Sequence, residues 1–297
     1  MEWQQILGFY HAARLGSFTR AAEATFRTQS ALSQQIRALE EEFGSELFER
    51  IGRKKLKLTA EGERFLRFAE SVLEGYNALR EELDEVKGAC RGNLKVAAPF
   101  TTLYHLFPER IKGYLDRFPQ VELTLLDRTQ RKVVELVRGG DVDFGLVLES
   151  IVSADLSSIR WQKVETMLMV PEGHPLTRLK RVTWRQLAKY PLILPPKSAR
   201  YAGRSRLEEN LERLGIGCRV AMESANVELS AVYVEIGLGI SFATVVSNLP
   251  VLGQRKLQFI SLSHYFKPDY VCIAARKGKV LNSYKNAFLQ ALFDEYR

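Results

Sequence analysis

One seam constrains this chain more than any other feature. Phe65, Ala69, Val72, Tyr76, Leu79, Leu83 and Val86 follow one another by steps of 4, 3, 4, 3, 4 and 3. A helix gathers residues at that spacing on one side, and a narrow apolar seam flanked by Glu, Asp and Arg is the pattern of a coiled-coil partner. A long helix lying on its own domain would use the same residues, so pairing with a second copy is weighed against internal packing. In either case a helix over residues 59–87 separates a short N-terminal region from a longer C-terminal one.

Before the seam, "WQQILGFYHAARL" places Trp3, Ile6, Leu7, Tyr10 and Ala13 at helical spacing, and Gly16 with Ser17 ends that helix and starts a short one in "FTRAAEAT". Thr28 then caps a third helix carrying Leu32, Ile36, Leu39 and Phe43 on one side, and Gly44 closes it. "LFERIGRKKLKLT" reads as two short strands around the basic turn Gly52 to Lys55, with Thr59 capping the long helix. The order is helix, helix, turn, helix, wing.

At about 100° per residue, Gln29, Ser30, Ser33, Gln34 and Arg37 share the sector beside the apolar one. Such groups hydrogen-bond base edges or phosphates, whereas Glu40, Glu41 and Glu42 would be repelled by phosphates. Only the N-terminal half of the helix can therefore approach DNA, end-on, with its positive dipole end leading. A solvated helix face would look alike in isolation; the short preceding helix, tight turn, basic wing and dimerising helix together make DNA binding the reading.

After the seam, "GACRGN" supplies a hinge over 88–92, and the pattern changes to strands alternating with helices. "LKVAAP", "VELTLLD", "VDFGLVLE", "PLILPP", "RVAMES", "GISFATVV", "LQFISL" and "YVCIAAR" have strand length; "FPERIKGYLDRF", "KVVELVRGG", "RSRLEENLERLG" and "VELSAVYVEIG" are helical. That alternation predicts a buried parallel sheet covered by helices.

Lys and Arg outnumber Asp and Glu by 43 to 35, but residues 1–87 hold 13 against 15, leaving 30 against 20 for residues 88–297. Net charge alone therefore does not mark the N-terminal part as a DNA binder. Cys90, Cys218 and Cys272 show no CxxC pattern, and His11, His105, His174 and His264 share no ligand spacing, so neither a disulfide framework nor a metal site is expected. With no GxSxG, GxxxxGK[ST] or GxGxxG motif, no catalytic residue and no cofactor are expected. The first residues lack a basic leader and a long apolar core, which predicts a cytoplasmic chain with no membrane partner. An α/β enzyme or a solute-binding protein using the same architecture are the rival readings.

In sheets of this kind, ligands bind where strands end and helix N-termini point into a crevice. Four junctions have that form: Thr101 and Thr102 in "AAPFTTLY", Thr129 in "LLDRTQRK", Ser198 in "PPKSARYAG", and Ser224 with Asn226 in "MESANVEL". Each hydroxyl or amide could equally serve as a helix cap. Arg200 nearby and the net positive half-chain favour a compact oxyanion or small organic acid.

"GSFTRAAEATFRTQSALSQQIRALEEEFGSELFER" with "LKLTAEGERFL" resembles the winged helix-turn-helix of LysR-type transcriptional regulators. "RFPQVEL", "GGDVDFGLV", "VPEGHPL" and "YVEIGLGISF" resemble that family's effector domain, in the same order. The resemblance implies a winged helix-turn-helix domain over 1–58, a dimerisation helix over 59–87, a hinge over 88–92, and a periplasmic-binding-protein-like α/β domain over 93–297. Subdomain one would span 93–163 and 268–297, and subdomain two 164–267. It further implies a homodimer through the Phe65–Val86 helix, assembled as a homotetramer on an interrupted inverted repeat in double-stranded DNA. A small-molecule effector would enter the cleft, with RNA polymerase as a further partner. Mapped by residue, Gln29, Ser30, Ser33 and Gln34 would read bases, and Thr28, Arg37, Arg50, Arg53, Lys54 and Lys55 would meet phosphates or the minor groove. Thr101, Thr102, Thr129, Ser198 and Asn226 would hold the effector. Gln34 stands where many members carry arginine, and Glu149 stands where sensors of aromatic carboxylates often carry one. "IKGYLDRFP" is similar to the sulfur-assimilation branch.

Overall fold

The computed structural model describes all residues except 50–55, 87–90, 198–201, 247–251, 253, 280 and 294–297. In its first unit, Met1–Ala89, α1 (Trp3–Leu15), α2 (Phe18–Ala24) and α3 (Gln29–Phe43) precede the short strands β1 (Phe48–Glu49) and β2 (Lys57–Leu58) and the long α4 (Ala60–Val86). The caps agree with the sequence: Ser17 Oγ accepts from Arg20 N, Thr28 Oγ1 accepts from Ala31 N at 3.2 Å, and Gly44 closes α3 at φ 60°. That left-handed backbone is disfavoured for residues with a Cβ, which is why glycine ends this helix.

Ile6, Phe9 and Ala12 of α1 pack with Ala21, Ala22, Leu32, Ile36, Leu39, Phe65 and Ala69. The buried stripe of α1 is therefore rotated from the one expected. Phe9 rather than Tyr10 enters the core, meeting Phe48 and Phe65 with ring centroids 5.0 and 4.8 Å away. Phe43, expected on the inner stripe of α3, is half exposed, with its ring edge-on to Phe65. A Cβ on Gly62 would lie 2.0 Å from the carbonyl oxygen of Leu47, so only glycine lets α4 pass that close to the chain entering β1.

The seam on α4 divides in two. Phe65 and Ala69 are buried and Val72 packs beside them in this unit's own core, whereas Tyr76, Leu79 and Leu83 are about half exposed. Internal packing takes Phe65, Ala69 and Val72; Leu79 and Leu83 are left about half exposed, and Tyr76 sets its ring against Trp3 with centroids 4.7 Å apart.

The second unit, Cys90–Arg297, begins with β3 (Gly92–Ala98), α5 (Phe100–His105), α6 (Pro108–Arg117), β4 (Val121–Asp127), α7 (Gln130–Arg138), β5 (Phe144–Leu148) and β6 (Leu156–Pro171). It continues with α8 (Trp184–Leu187), β7 (Leu192–Leu194), α9 (Ala202–Arg213), β8 (Val220–Glu223), α10 (Val227–Glu235), β9 (Ile240–Val245), β10 (Leu257–Ser261), β11 (Asp269–Arg276) and α12 (Ser283–Phe293). The strands run in the order β4-β3-β5-β11-β6-β9-β7-β8, with β10 paired to β6.

This corrects the expected parallel sheet. β3, β4 and β5 are mutually parallel, as are β7, β8 and β9, but β11 and β6 lie between them antiparallel. The 16-residue β6 was not among the expected strands. Its sequence "LSSIRWQKVETMLMVP" changes character midway, from largely exposed residues to the buried run Leu168, Met169 and Val170, so no single period marks it. It pairs with β11 up to Val164 and with β9 from Glu165, which makes it the member shared by two lobes. One lobe is built around Leu94, Val96, Phe144, Leu146, Tyr284 and Phe288, the other around Leu168, Val170, Leu192, Leu207 and Phe242.

Candidate functional site

In the first unit, Thr28, Gln29, Ser30, Gln34 and Arg37 are exposed and Ser33 is half-buried. The hydroxyls of Thr28 and Ser30 lie 3.1 Å apart. The polar face separates further: Gln29, Ser33, Ile36, Arg37, Glu40, Phe18 and Phe48 line an open groove of about 230 Å³, and Ser30 and Gln34 lie outside it. The helical angle accounts for this, because Gln29, Ser33, Arg37 and Glu40 are spaced by four, four and three residues and stay on one side, while Ser30 and Gln34 lead them by one position.

Glu40 is not a solvated carboxylate. Its Oε1 accepts from Leu47 N at 2.8 Å and Phe48 N at 3.3 Å, fixing the first strand of the wing to α3. Glu42 pairs with the amino group of Met1 at 2.7 Å. Of the three glutamates expected to mark the limit of contact, Glu40 thus anchors the wing and Glu42 makes a surface ion pair with the N-terminus. Arg50, Arg53, Lys54 and Lys55 lie outside the described residues.

In the second unit, the parallel register sets the ends of β3, β4 and β5 on one edge, with Ala98 beside Asp127. That edge carries Thr101 and Thr102 on α5, Thr129 at the start of α7 and Glu149 after β5. Gln130 ties the start of α7 to β5 by accepting from Leu148 N at 3.0 Å. In the other lobe, β8 ends at Glu223, and Ser224 and Asn226 follow it before α10.

The two edges meet through side chains. Thr101 Oγ1 donates to Glu228 Oε2 at 3.3 Å, and His105 Nε2 is hydrogen-bonded to Glu228 Oε1 at 2.8 Å. The His105 side chain is fully buried, and its Nδ1 has no hydrogen-bond partner. Thr102 is buried, and Asn226 Oδ1 accepts from Leu229 N at 2.7 Å, capping α10. The Thr129 side chain makes no cap hydrogen bond to α7. Ser198 and Arg200 lie outside the described residues.

Sequence reasoning missed His105 and Glu228. They are 123 positions apart with no spacing signal, so only folding reveals the pair. It also missed Arg204, buried between lobe elements, where it donates to the Pro195 carbonyl at 2.5 Å, Glu223 at 2.6 Å and Glu208 at 2.8 Å. Glu149 is engaged by Arg160 at 2.8 Å, and that guanidinium lies 4.6 Å from the Tyr270 ring centroid. Burial pushes the Cys272 thiol up to about 11 and raises that of Cys218.

A helix-turn-helix unit followed by a two-lobed α/β unit whose lobe edges meet at Thr101, His105 and Glu228 is the architecture of a DNA-binding regulator that carries its own ligand-binding domain. Two family models divide the chain: the bacterial regulatory helix-turn-helix protein, lysR family, matches residues 3–63, and the LysR substrate binding domain matches residues 87–297. The chain belongs to the LysR family. It is 30% identical over 292 residues to the HTH-type transcriptional regulator cbl of Escherichia coli, covering 98% of this chain and 92% of that protein. It is 29% identical over 277 residues to CysB of Burkholderia cenocepacia, covering 93% and 88%.

The cofactor-binding domain of the Cbl regulator superposes with a TM-score of 0.58 at 27% identity, over 68% of this chain and 88% of that one. Full-length OxyR from Pseudomonas aeruginosa shares the fold at a TM-score of 0.66 and 23% identity, over 98% and 96%. The protein is a LysR-type transcriptional regulator with an effector-binding domain, not an enzyme. Among the described residues no helix is long and apolar enough to cross a membrane.

Proposed function

We propose that this regulator reads promoter DNA with the first half of α3 and answers to a small oxyanion or organic acid held in the inter-lobe cleft. The observation that carries the DNA half is the exposed polar face running from the capped end of α3 to Arg37, beside a groove shared with the wing. Gln29, Ser30, Ser33 and Gln34 meet base edges; Thr28, Arg37, Arg50, Arg53, Lys54 and Lys55 meet phosphates or the minor groove. CbnR, at 21% identity and a TM-score of 0.55 over 98% of this chain and 97% of that one, has been solved with its target DNA.

In the cleft, the effector takes Thr101, Thr102, Thr129, Ser198, Arg200 and Asn226. Among these, Thr101 and Thr129 have hydroxyls not committed to helix caps, and the positive balance of residues 88–297 suits an anion. The chain pairs through the exposed half of the α4 seam, and two dimers on an interrupted inverted repeat form a tetramer that engages RNA polymerase in the cytoplasm.

Binding to DNA upstream of its own gene, measured over a salt series, tests this. A complex without sequence preference sinks the reading. Arg37→Ala weakens all sequences alike and lowers the salt slope by about 1, whereas Gln34→Ala costs about 1–3 kcal/mol at one cognate base pair.

A further inference from the structure

Glu228 stands where an anionic effector would bind, with its carboxylate already held. Thr101 donates to one oxygen at 3.3 Å and His105 to the other at 2.8 Å, both from α5 of the opposite lobe. A carboxylate accepts only, so the histidine nitrogen facing it is the protonated one. The Glu228 side chain is only 15% exposed and that of His105 is fully buried, so the pair is a latch in a dry part of the cleft and not a surface contact. His105 Nδ1, buried without a partner, shows that the ring's second nitrogen is not used to build the fold. Native structures leave few such atoms, and each calls for an explanation such as a bound water, an ion or a functional role.

We propose that Glu228 is an internal anion: it occupies the cleft's donors when the effector is absent, and an oxyanion effector binds by displacing it. The inference rests on the oxyanion reading given above. Displacement has a mechanical result, because the carboxylate that leaves belongs to α10 while the donors it releases belong to α5. The protein-to-protein link between the lobes is then replaced by a link through the effector. Glu228 occupies the first turn of α10, where the helix dipole favours negative charge, so the released side chain stays compatible with its helix.

Isothermal titration of the full chain with sodium sulfate and sodium propionate, at ionic strength fixed with sodium chloride, tests the exchange. Glu228→Gln keeps the shape of the latch and loses its charge, and neutral hydrogen bonds hold less strongly than charge-assisted ones. We expect the variant to bind the better of the two anions about tenfold more tightly than the wild type, and Thr101→Val added to it to remove that gain. Glu228→Ala, checked for folding by thermal unfolding, should behave like Glu228→Gln.

Equal affinity in wild type and Glu228→Gln overturns the proposal. Weaker binding by the variant also overturns it and makes Glu228 a direct contact for a ligand with donor groups. No saturable binding of either anion by either protein overturns it as well. Anion binding by the wild type keeps the two readings apart: saturable binding that is equal in wild type and Glu228→Gln fails the latch alone, and no saturable binding by either protein fails the oxyanion reading on which it rests.

Discussion

At the scale of single residues, Phe26 is conspicuous. It sits in the turn before the α3 cap with φ 55° and is 97% exposed. A bulky side chain in the left-handed region is held at a cost, and here burial returns nothing. Phe26→Asn should therefore raise stability by about 1 kcal/mol, read as an upward shift in Tm; a fall in Tm would mean the ring is engaged in ways the isolated chain does not show. Glu40 behaves in the opposite way. Removing its carboxylate in Glu40→Ala leaves the amides of Leu47 and Phe48 without their acceptor, at an expected cost of about 1–3 kcal/mol in chemical denaturation. The wing loses its anchor to α3, so DNA affinity should fall although Glu40 is not among the proposed DNA contacts.

Among the elements, α4 carries the clearest lesson about reading periodicity. The heptad steps in the sequence are uniform from Phe65 to Val86, yet the fold uses Phe65, Ala69 and Val72 as core and leaves Tyr76, Leu79 and Leu83 half exposed. Internal packing accounts for the first half of the seam, and the half-exposed second half is the part that the proposed pairing would use. Leu79→Lys with Leu83→Lys should shift a dimer towards monomer in sedimentation while leaving the Tm of the N-terminal unit nearly unchanged, because neither side chain belongs to its core. Loss of folding would show that the seam packs internally throughout. For α3, start and stop were legible in the sequence, because Thr28 supplies a local acceptor for the first amides and Gly44 the left-handed exit, while Asn226, weighed as cap or ligand contact, accepts from Leu229 N as the cap of α10.

For the whole molecule, acid stability rests on carboxylates held by cations in the first lobe. Arg138 hydrogen-bonds Asp155, with Ser153 assisting, and holds that carboxyl at about 2 against an ordinary 3.8. For Asp143, burial works upward, but Lys279 at 2.7 Å and Lys285 at 3.3 Å keep it below its usual range. Both folded values lie below the unfolded ones. The stability they contribute is therefore complete above the unfolded pKa near 4 and is lost as the pH falls towards the folded values. Asp155→Asn should lower Tm at about pH 5, and the gap from wild type should close by about pH 2. Since Asp155 is half exposed, the effect is small and shrinks in high salt.

Locally encoded features were readable from the chain itself: the caps of α3, the helix-turn-helix order, most of the strands, the seam, and the sectors that put Gln29, Ser33 and Arg37 together. Each depends on residues within a few positions of one another, where helix angle, strand alternation and capping chemistry operate. Folding decided what distant segments share. It inserted β6 and β11 antiparallel into a sheet that the alternation made parallel, turned Glu40 into the wing's anchor, and consumed half the seam. It also set Glu228 against Thr101 and His105, 127 and 123 residues away. No spacing rule reaches that far, because such pairs form only when two sheet edges close on each other, and the energy that holds them is in the packing of the lobes.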